Sequence, residues 1–223
     1  YIKKKFNKLK IAHFKSGQKV YDWIIPNEWE IYEGYIECER KKIIDLKNNN
    51  LHVVGYSVPV QKILTYSQLI KHIHYLKEFP KAIPYRTNYY GNDWGFCMSF
   101  NDFKKLKKNK KYKVVIKSNK FEGKLNYGEV VIKGKSTKEI VFSTNICHPS
   151  LGNNETSGIV ITLALAKYIN SLNNNFTYRI LFIPETIGAI AYIKKNLRNL
   201  KYKVMAGFHI VCVGTNKEFS LLK

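Results

Sequence analysis

Four polar side chains of this sequence have the types and the spacing that metal or acid–base chemistry requires. His148, Asn154 and Glu155 follow one apolar run, and Glu185 follows the next. Imidazole is a common zinc ligand, and carboxylate and amide oxygens complete such sites. A glutamate beside a metal can also act as general base on water. These residues therefore predict a metal site or an acid–base pair.

The elements expected around these residues would bring them together. The β-branched run at Glu139–Thr144 predicts a buried strand, Ser157–Asn170 has helical period, and Thr177–Ile183 predicts a second strand. Ligands of open α/β sheets bind at the carboxyl ends of the strands. We therefore expect the imidazole of His148 and the carboxylate of Glu185 to share one pocket.

The alternation of strand and helix continues downstream with a helix at Ile187–Leu197 and a strand at Val204–Val213. It predicts a parallel or mostly parallel sheet covered by helices. Short strands joined by charged turns precede it. We therefore expect residues 17–99 to form a β-rich module inserted between residues 1–16 and residues 100–223, which together would form an α/β domain.

Three segments near the N-terminus have patterns that predict particular elements. Tyr1–Lys15 is basic with scattered apolar residues, as at the end of a longer helix. Leu51–Pro59 alternates as a strand does, with proline closing it, and Tyr66–Leu76 has helical spacing.

Basic side chains outnumber acidic ones, since 38 Lys and Arg against 16 Asp and Glu give a formal net charge of +22. Such a charge suits a nucleic-acid partner, but the lysines are spread over the chain and cluster only at 104–113. Neither zinc-finger spacing nor an RNA-binding aromatic strand accompanies the cluster. We therefore disfavour a nucleic-acid partner and expect a general preference for acidic partners.

The four cysteines have no metal-binding CxxC spacing, and two of them lie in apolar runs. No secretory signal is visible, and no apolar run reaches the roughly 18 residues that a membrane span needs. We therefore expect a reduced, cytoplasmic setting without a membrane partner. The chain begins with Tyr and ends after an apolar run, so we also expect it to be a fragment whose further ligands lie downstream.

Several alternative chemistries are disfavoured. Cys147 and His148 are neighbours on an extended segment, so we expect the thiol not to reach the imidazole as a thiol protease would require. The G-K-S-T sequence at 134–137 has the wrong spacing for a phosphate-binding loop and predicts a hairpin turn. HExxH and GxSxG sequences are absent, which argues against zincin and α/β-hydrolase mechanisms.

Several longer stretches resemble bacterial proteins with an aminopeptidase-like domain, which often lie in polysaccharide-biosynthesis loci. The stretches cover nearly the whole chain, and they are SGQKVYDWIIPNEW (16–29), NLHVVGYSVPV (50–60), AIPYRTNYY (82–90), WGFCMS (94–99), ICHPSLGNNETSG (146–158) and YRILFIPETIGAIAY (178–192). The resemblance implies a zinc-exopeptidase-like α/β fold, with a mixed sheet flanked by helices and a β-rich inserted domain. It also implies that family members extend well beyond this chain.

The resemblance also implies roles for individual residues. His148 occupies a first-ligand position, Asn154 stands where a bridging Asp is expected, and Glu185 matches the general base. Thr186 and Thr215 stand where the family pattern has metal-binding acids, and a late His would lie beyond residue 223. A neutral amide bridges two metals poorly, so either Glu155 and downstream residues rebuild the site or the fold serves another purpose.

Three functional hypotheses follow. The first is a zinc-dependent hydrolase of an amide or peptide bond, with one or two ions held by His148, Asn154 and Glu155 and with Glu185 as general base. Its substrate would be a small molecule or peptide-like compound of surface-polysaccharide metabolism. The second is a catalytically silent relative that binds a sugar or a partner in the same cleft. The third and weakest is nucleic-acid binding through the lysines. Sequence alone leaves the substrate contacts and the oligomeric state open.

Overall fold

The structure is a computed structural model that describes residues 1–148, 151–216 and 220. The chain divides into two compact units. One, here called the α/β unit, combines Tyr1–Ile25 with Lys124–Lys223. The other, here called the inserted unit, comprises Pro26–Gly123.

The described part of the chain forms strands and helices throughout both units. The strands are β1 (Lys10–Lys15), β2 (Lys19–Val20), β3 (Trp23–Ile24), β4 (Glu28–Cys38), β5 (Lys41–Asp45), β6 (Val60–Thr65), β7 (Ile73–His74), β8 (Phe96–Cys97), β9 (Lys111–Phe121), β10 (Lys124–Ile132), β11 (Glu139–Asn145), β12 (Thr177–Ile183) and β13 (Val204–His209). The helices are α1 (Ile2–Lys5), α2 (Tyr66–Leu69), α3 (Phe100–Phe103), α4 (Ser157–Asn170) and α5 (Ile187–Lys203). Short 3₁₀ turns at Asn50–His52 and Ile70–His72 and a π-helical turn at Gly152–Thr156 complete them.

The α/β unit is built on a mixed sheet with strand order β1-β10-β12-β11-β13. The three strands β12, β11 and β13 are parallel, as the alternation of strand and helix predicts. Strand β10 pairs with β12 in antiparallel orientation, and β1 pairs in antiparallel orientation with β10. The predicted mixed α/β fold is therefore confirmed, with its parallel part on the side that carries the candidate site.

Side chains of β12 alternate between the two faces of the sheet, and both faces are covered. Ile180 and Phe182 pack in a cluster with Ala166 of α4, whereas Leu181 and Ile183 pack in a second cluster with Ala191 of α5. Burial on both faces explains why residues 180–183 of this strand form a continuous apolar run, since a strand with one solvated face would alternate with polar residues. The two layers hold α4 and α5 on opposite faces of the sheet.

A partly buried ion-pair network connects strands β10, β11 and β12 of the α/β unit. The Arg179 guanidinium donates Nε and Nη2 to the two carboxylate oxygens of Glu139 at 2.7 and 2.9 Å. Its Nη1 also donates to Glu129, whose carboxylate accepts the Tyr192 hydroxyl at 2.5 Å. Glu139 is only 4% exposed, so its charge depends on this partner.

The inserted unit is a β-rich module built on the antiparallel sheet β5-β4-β9-β6. Its core contains Ile36, Phe96, Tyr112 and Val114. The sequence placed the module at residues 17–99, but the compact unit runs from Pro26 to Gly123. Strand β9 pairs along its length with β4 and therefore belongs to this unit, a pairing that local sequence does not reveal.

Three predicted elements near the N-terminus are wrong. Residues 10–15 of the supposed helix form β1, which pairs with β10. Leu51–Pro59 makes only isolated bridges, and the strand β6 begins at Val60 after the proline that cannot donate to a ladder. The helix expected at Tyr66–Leu76 ends at Leu69, because the chain turns to let β7 pair with β8.

Candidate active site

The ends of two neighbouring parallel strands form the centre of the candidate site. Asn145, the last residue of β11, is in register with Ile183, the last residue of β12. The chain therefore leaves the sheet at the same level on both strands, just before His148 and Glu185. Nε2 of His148 lies 3.4 Å from Oε2 of Glu185. The two side chains that the sequence predicted to meet are therefore in contact.

The π-helical turn before α4 directs Glu155 back toward the end of β11. Oε1 of Glu155 lies 2.7 Å from Nδ1 of His148, and Oε2 accepts the backbone N–H of Cys147 at 2.9 Å. The residue is only 5% exposed. A buried carboxylate needs such partners, and π-helical turns occur frequently at functional sites. His148 therefore stands between Glu155 on one ring nitrogen and Glu185 on the other.

The start of α4 lies against the end of β11 and the segment that follows β13. An added Cβ at Gly158 would meet the Ile210 carbonyl oxygen at 2.3 Å and the Thr144 hydroxyl at 2.4 Å. The Val213 N–H donates to the Ser157 hydroxyl at 3.1 Å. Only glycine allows this approach, so Gly158 sets how closely the π-helical turn is held to the strand ends.

Cys147 contacts the same imidazole. Its Sγ lies 3.2 Å from Nδ1 of His148 and accepts the Glu185 N–H at 3.1 Å. The expectation that the thiol does not reach the imidazole is therefore wrong. Strand β11 ends at Asn145, so the alternation of an extended chain no longer applies at residues 147 and 148. Burial raises the pKa of the Cys147 thiol to about 12, so the group is a neutral thiol at pH 7 and a poor nucleophile.

The three residues that replace expected acids occupy different environments. Asn154 lies in the π-helical turn, and its Oδ1 is buried with no hydrogen-bond partner among the described residues. Thr186 precedes α5 with φ 56° and ψ −91°, a strained conformation of the kind found at functional sites. Thr215 is exposed in the segment after β13.

A cavity of about 630 Å³ is lined by residues of the sheet and of α5. Glu185 and Thr186 line it together with Leu181, Ile183 and Ile193, and its walls are mainly apolar. Its volume lies within the range of small-molecule sites in proteins. Glu185 thus borders a space large enough for a small ligand.

A family model described as "Domain of unknown function (DUF4910)" matches residues 1–223, the whole chain. The chain belongs to this family.

One relative of the DUF4910 chain is a Clostridium acetobutylicum protein named for polysaccharide biosynthesis and an aminopeptidase-like domain. It is 42% identical over 207 residues, which are 92% of this chain and 47% of the relative. A crystal structure of a candidate peptidase from the same organism is 41% identical, with a TM-score of 0.91 over 96% of this chain and 50% of that one. The chain therefore spans about half the length of these relatives.

More distant structures share the fold. BSAP, a zinc aminopeptidase from Bacillus subtilis, is 17% identical with a TM-score of 0.61, over 96% of this chain and 62% of that chain. A peptidase M28 precursor from Shewanella amazonensis is 11% identical with a TM-score of 0.60, over 92% and 62% of the two chains. These likenesses establish that the DUF4910 chain has a zinc-aminopeptidase-like fold, as the sequence resemblance predicted.

The predicted site residues of the DUF4910 chain are thus largely brought together. Glu155 and Glu185 each contact the imidazole of His148. Asn154 lies in the same turn as Glu155. Cys147 is the residue that sequence reasoning dismissed. The sequence signal for its contact with the imidazole was its position next to His148. Because β11 ends at Asn145, the two side chains need not point to opposite faces.

The donor atoms of the DUF4910 chain fit one metal ion better than two. Zinc binds imidazole nitrogen at about 2.0–2.1 Å and also accepts oxygen donors. Nε2 of His148 is such a nitrogen, and the unpaired Oδ1 of Asn154 is a neutral oxygen donor. A second ion needs a bridging carboxylate, which an amide at position 154 does not supply.

Within residues 1–148 and 151–216, no helix of the DUF4910 chain is both long enough and apolar enough to cross a membrane.

Proposed function

We propose that this chain carries the site of a metal-dependent hydrolase of the aminopeptidase type, which cleaves an amide or peptide bond. The observation that carries the proposal is the contact between Nε2 of His148 and the Glu185 carboxylate at 3.4 Å. A half-exposed carboxylate beside a potential metal-binding nitrogen is the arrangement that hydrolysis of this type requires. The aminopeptidase-like fold supports it.

His148 through Nε2 and Asn154 through Oδ1 would hold a zinc ion in this proposal. When bound, zinc acts as a Lewis acid that polarises a carbonyl and acidifies water. The prediction that Glu155 is a further ligand stays untested, and its oxygens contact the imidazole and a backbone N–H. The donor set of this chain supports one ion.

Glu185 is the general base of the proposed reaction. Its side chain is 50% exposed, so both water and substrate have access to it. The carboxylate takes a proton from a water molecule whose oxygen attacks the amide carbonyl carbon. When the carbon–nitrogen bond breaks, the Glu185 carboxyl returns that proton to the leaving amine, and the carboxylate is regenerated.

The proposed substrate is a small or peptide-like amide of surface-polysaccharide metabolism. The name of the Clostridium relative supports that setting, and the cavity beside Glu185 has room for such a compound. A cytoplasmic location is part of the proposal, and the four cysteines, all free in this structure, support it.

A second candidate function is a catalytically silent module that binds a sugar or a partner in the same cleft. The neutral side chains of Asn154, Thr186 and Thr215 favour it, because they remove negative charge from positions where zinc aminopeptidases of this fold have acids. Metal content discriminates between the two candidates.

The test is elemental analysis of the full-length protein together with a panel of aminoacyl amides. The hydrolase proposal expects about one zinc per chain and cleavage of at least one amide that stops when a chelator removes the metal. Protein that purifies without metal, binds none on titration and cleaves none of the panel would support the silent module instead.

A further inference from the structure

Both oxygens of the Glu155 carboxylate already have partners. Oε2 accepts the Cys147 N–H at 2.9 Å, and Oε1 lies 2.7 Å from Nδ1 of His148. The side chain is 7% exposed, so water does not compete for these bonds. A buried carboxylate that accepts a backbone N–H is held in one orientation, and it presents its second oxygen to the imidazole.

The separation between Glu155 and His148 is that of a hydrogen bond. Two atoms that ligate the same tetrahedral zinc ion lie roughly 3.4 Å apart, whereas Oε1 and Nδ1 are 2.7 Å apart. A proton on Nδ1 fits this separation, whereas a zinc ion bound to both atoms would have to move them apart. On the other side of the ring, Nε2 faces the Glu185 carboxylate at 3.4 Å.

We propose that Glu155 is a positioning residue: its carboxylate holds the proton of His148 on Nδ1 and thereby leaves the Nε2 lone pair to bind the metal. The inference rests on the proposed function only in naming a metal as the partner of Nε2. It revises the role predicted from sequence, in which Glu155 was itself a ligand.

Histidine ligands of metals commonly donate their other ring N–H to a carboxylate, which fixes the tautomer and raises the basicity of the ligand nitrogen. Glu155 meets this requirement from the π-helical turn. The same carboxylate also ties down the backbone of Cys147, the residue before His148. One side chain thus sets both the ring orientation and the path of the chain that carries the ring.

The cluster offers one competing arrangement. Ligand atoms of Cys147, His148 and Glu155 lie within 4.8 Å of one another, so an ion on the Nδ1 side could bind all three. That ion would displace the hydrogen bond between Glu155 and the imidazole and would bind sulfur. The two arrangements therefore differ in the atom of His148 that is protonated and in the presence of a metal–sulfur bond.

The first measurement is the imidazole tautomer of His148 in the metal-free protein, read from nitrogen–proton correlation spectra of ¹⁵N-labelled histidine above pH 8. Wild type is expected to carry the proton on Nδ1. Glu155→Gln is expected to shift the population toward Nε2–H, whereas Glu78→Gln, an exposed matched control for the lost charge, leaves it unchanged. A proton on Nε2 in wild type overturns the proposal whatever the variants do.

The second measurement is zinc binding. Loss of a carboxylate that orients a ligand typically weakens metal affinity 10–100-fold, so Glu155→Gln is expected to raise the zinc Kd about 10–100-fold, with no change in Glu78→Gln. An unchanged Kd in Glu155→Gln contradicts the proposal. X-ray absorption of the wild-type zinc complex should lack a sulfur shell, and a sulfur neighbour at about 2.3 Å would refute the proposal in favour of an ion on the Nδ1 side.

The proposal and the hydrolase function can fail separately. The tautomer is measured without metal or substrate, so it tests Glu155 even if the protein proves to be a silent module. Conversely, a zinc–sulfur bond in a protein that cleaves amides would leave the hydrolase standing and remove only the role assigned to Glu155.

Discussion

Nε2 of His148 lies 3.4 Å from Oε2 of Glu185, although the helix α4 and the strand β12 separate the two residues in the chain. The parallel register of β11 and β12 produces this proximity, because both strands end at the same level of the sheet. The proposed base and the proposed metal ligand therefore each follow shortly after the end of a paired strand.

Glu185→Gln should abolish amide hydrolysis and leave zinc content unchanged. The amide keeps the size of the side chain but cannot take a proton from water, and general-base catalysis contributes about 10²–10⁴-fold to rates. We therefore expect kcat/KM to fall by at least about 100-fold, measured on whichever aminoacyl amide the wild type cleaves. Elemental analysis of the same sample provides the control. Wild-type activity in this variant would remove Glu185 from the mechanism.

Asn154→Asp should strengthen metal binding. Oδ1 of Asn154 is buried without a partner in the described part of the chain, and a carboxylate there would supply the charge that an amide lacks. We expect either at least about tenfold tighter zinc binding or the binding of a second ion. The tenfold figure follows the change in metal affinity that single groups around a metal typically cause. Competition titration with a chromogenic chelator measures both. Unchanged affinity and stoichiometry would mean that residue 154 does not face the ion.

Gly158→Ala should destabilise the protein and weaken zinc binding. The added Cβ would lie 2.3 Å from the Ile210 carbonyl oxygen, and overpacking of this kind costs about 1–3 kcal/mol. Since α4 must move, Glu155 would also leave His148. Gly152→Ala is the matched control, because nothing lies within 4 Å of its added Cβ. Urea unfolding of the two variants should therefore diverge, and equal midpoints would contradict the close approach at Gly158.

Arg179→Met should lower the free energy of unfolding by about 3–5 kcal/mol, because removing one partner of a buried ion pair leaves an uncompensated charge. Here the charge left behind is that of Glu139, which is 4% exposed. Lys105→Ala, which breaks the exposed pair with Asp102, should change stability by at most about 1 kcal/mol. Thermal unfolding compares the two, and a similar small effect in both would show that the Arg179 network adds little.

Asp45→Asn should reduce stability at neutral pH and much less in acid. A hydrogen bond from the Lys42 ammonium and one from the Lys47 N–H hold the pKa of the Asp45 carboxyl below its usual value. A lowered folded-state pKa stabilises the protein above the unfolded pKa of about 3.9, and this contribution is lost as the pH falls through the folded-state value. The free energies of unfolding of wild type and variant should thus converge as the pH falls from about 5 to about 2. Urea unfolding across that range tests this, with the exposed Asp22→Asn as control, and a constant difference would contradict it.

Local patterns in the sequence predicted the part of the molecule that positions the site. Apolar runs at β11 and β12 and the helical period of α4 are properties of neighbouring residues, so periodicity reveals them. The polar residues after each run then place His148 and Glu185 at one edge of the sheet. Patterns of this kind did not predict β1 or the extent of the inserted unit, because β1 and β9 form by pairing with strands remote in the chain.

The sequence by itself determined that an imidazole and a carboxylate meet at the ends of two parallel strands. Only the tertiary structure decided which atoms face each other, namely Glu155 at Nδ1, Glu185 at Nε2, and Cys147 beside the ring. The physical reason is that these contacts depend on where β11 ends and on the π-helical turn that Gly158 lets approach it. No spacing rule for a regular strand or helix describes that geometry.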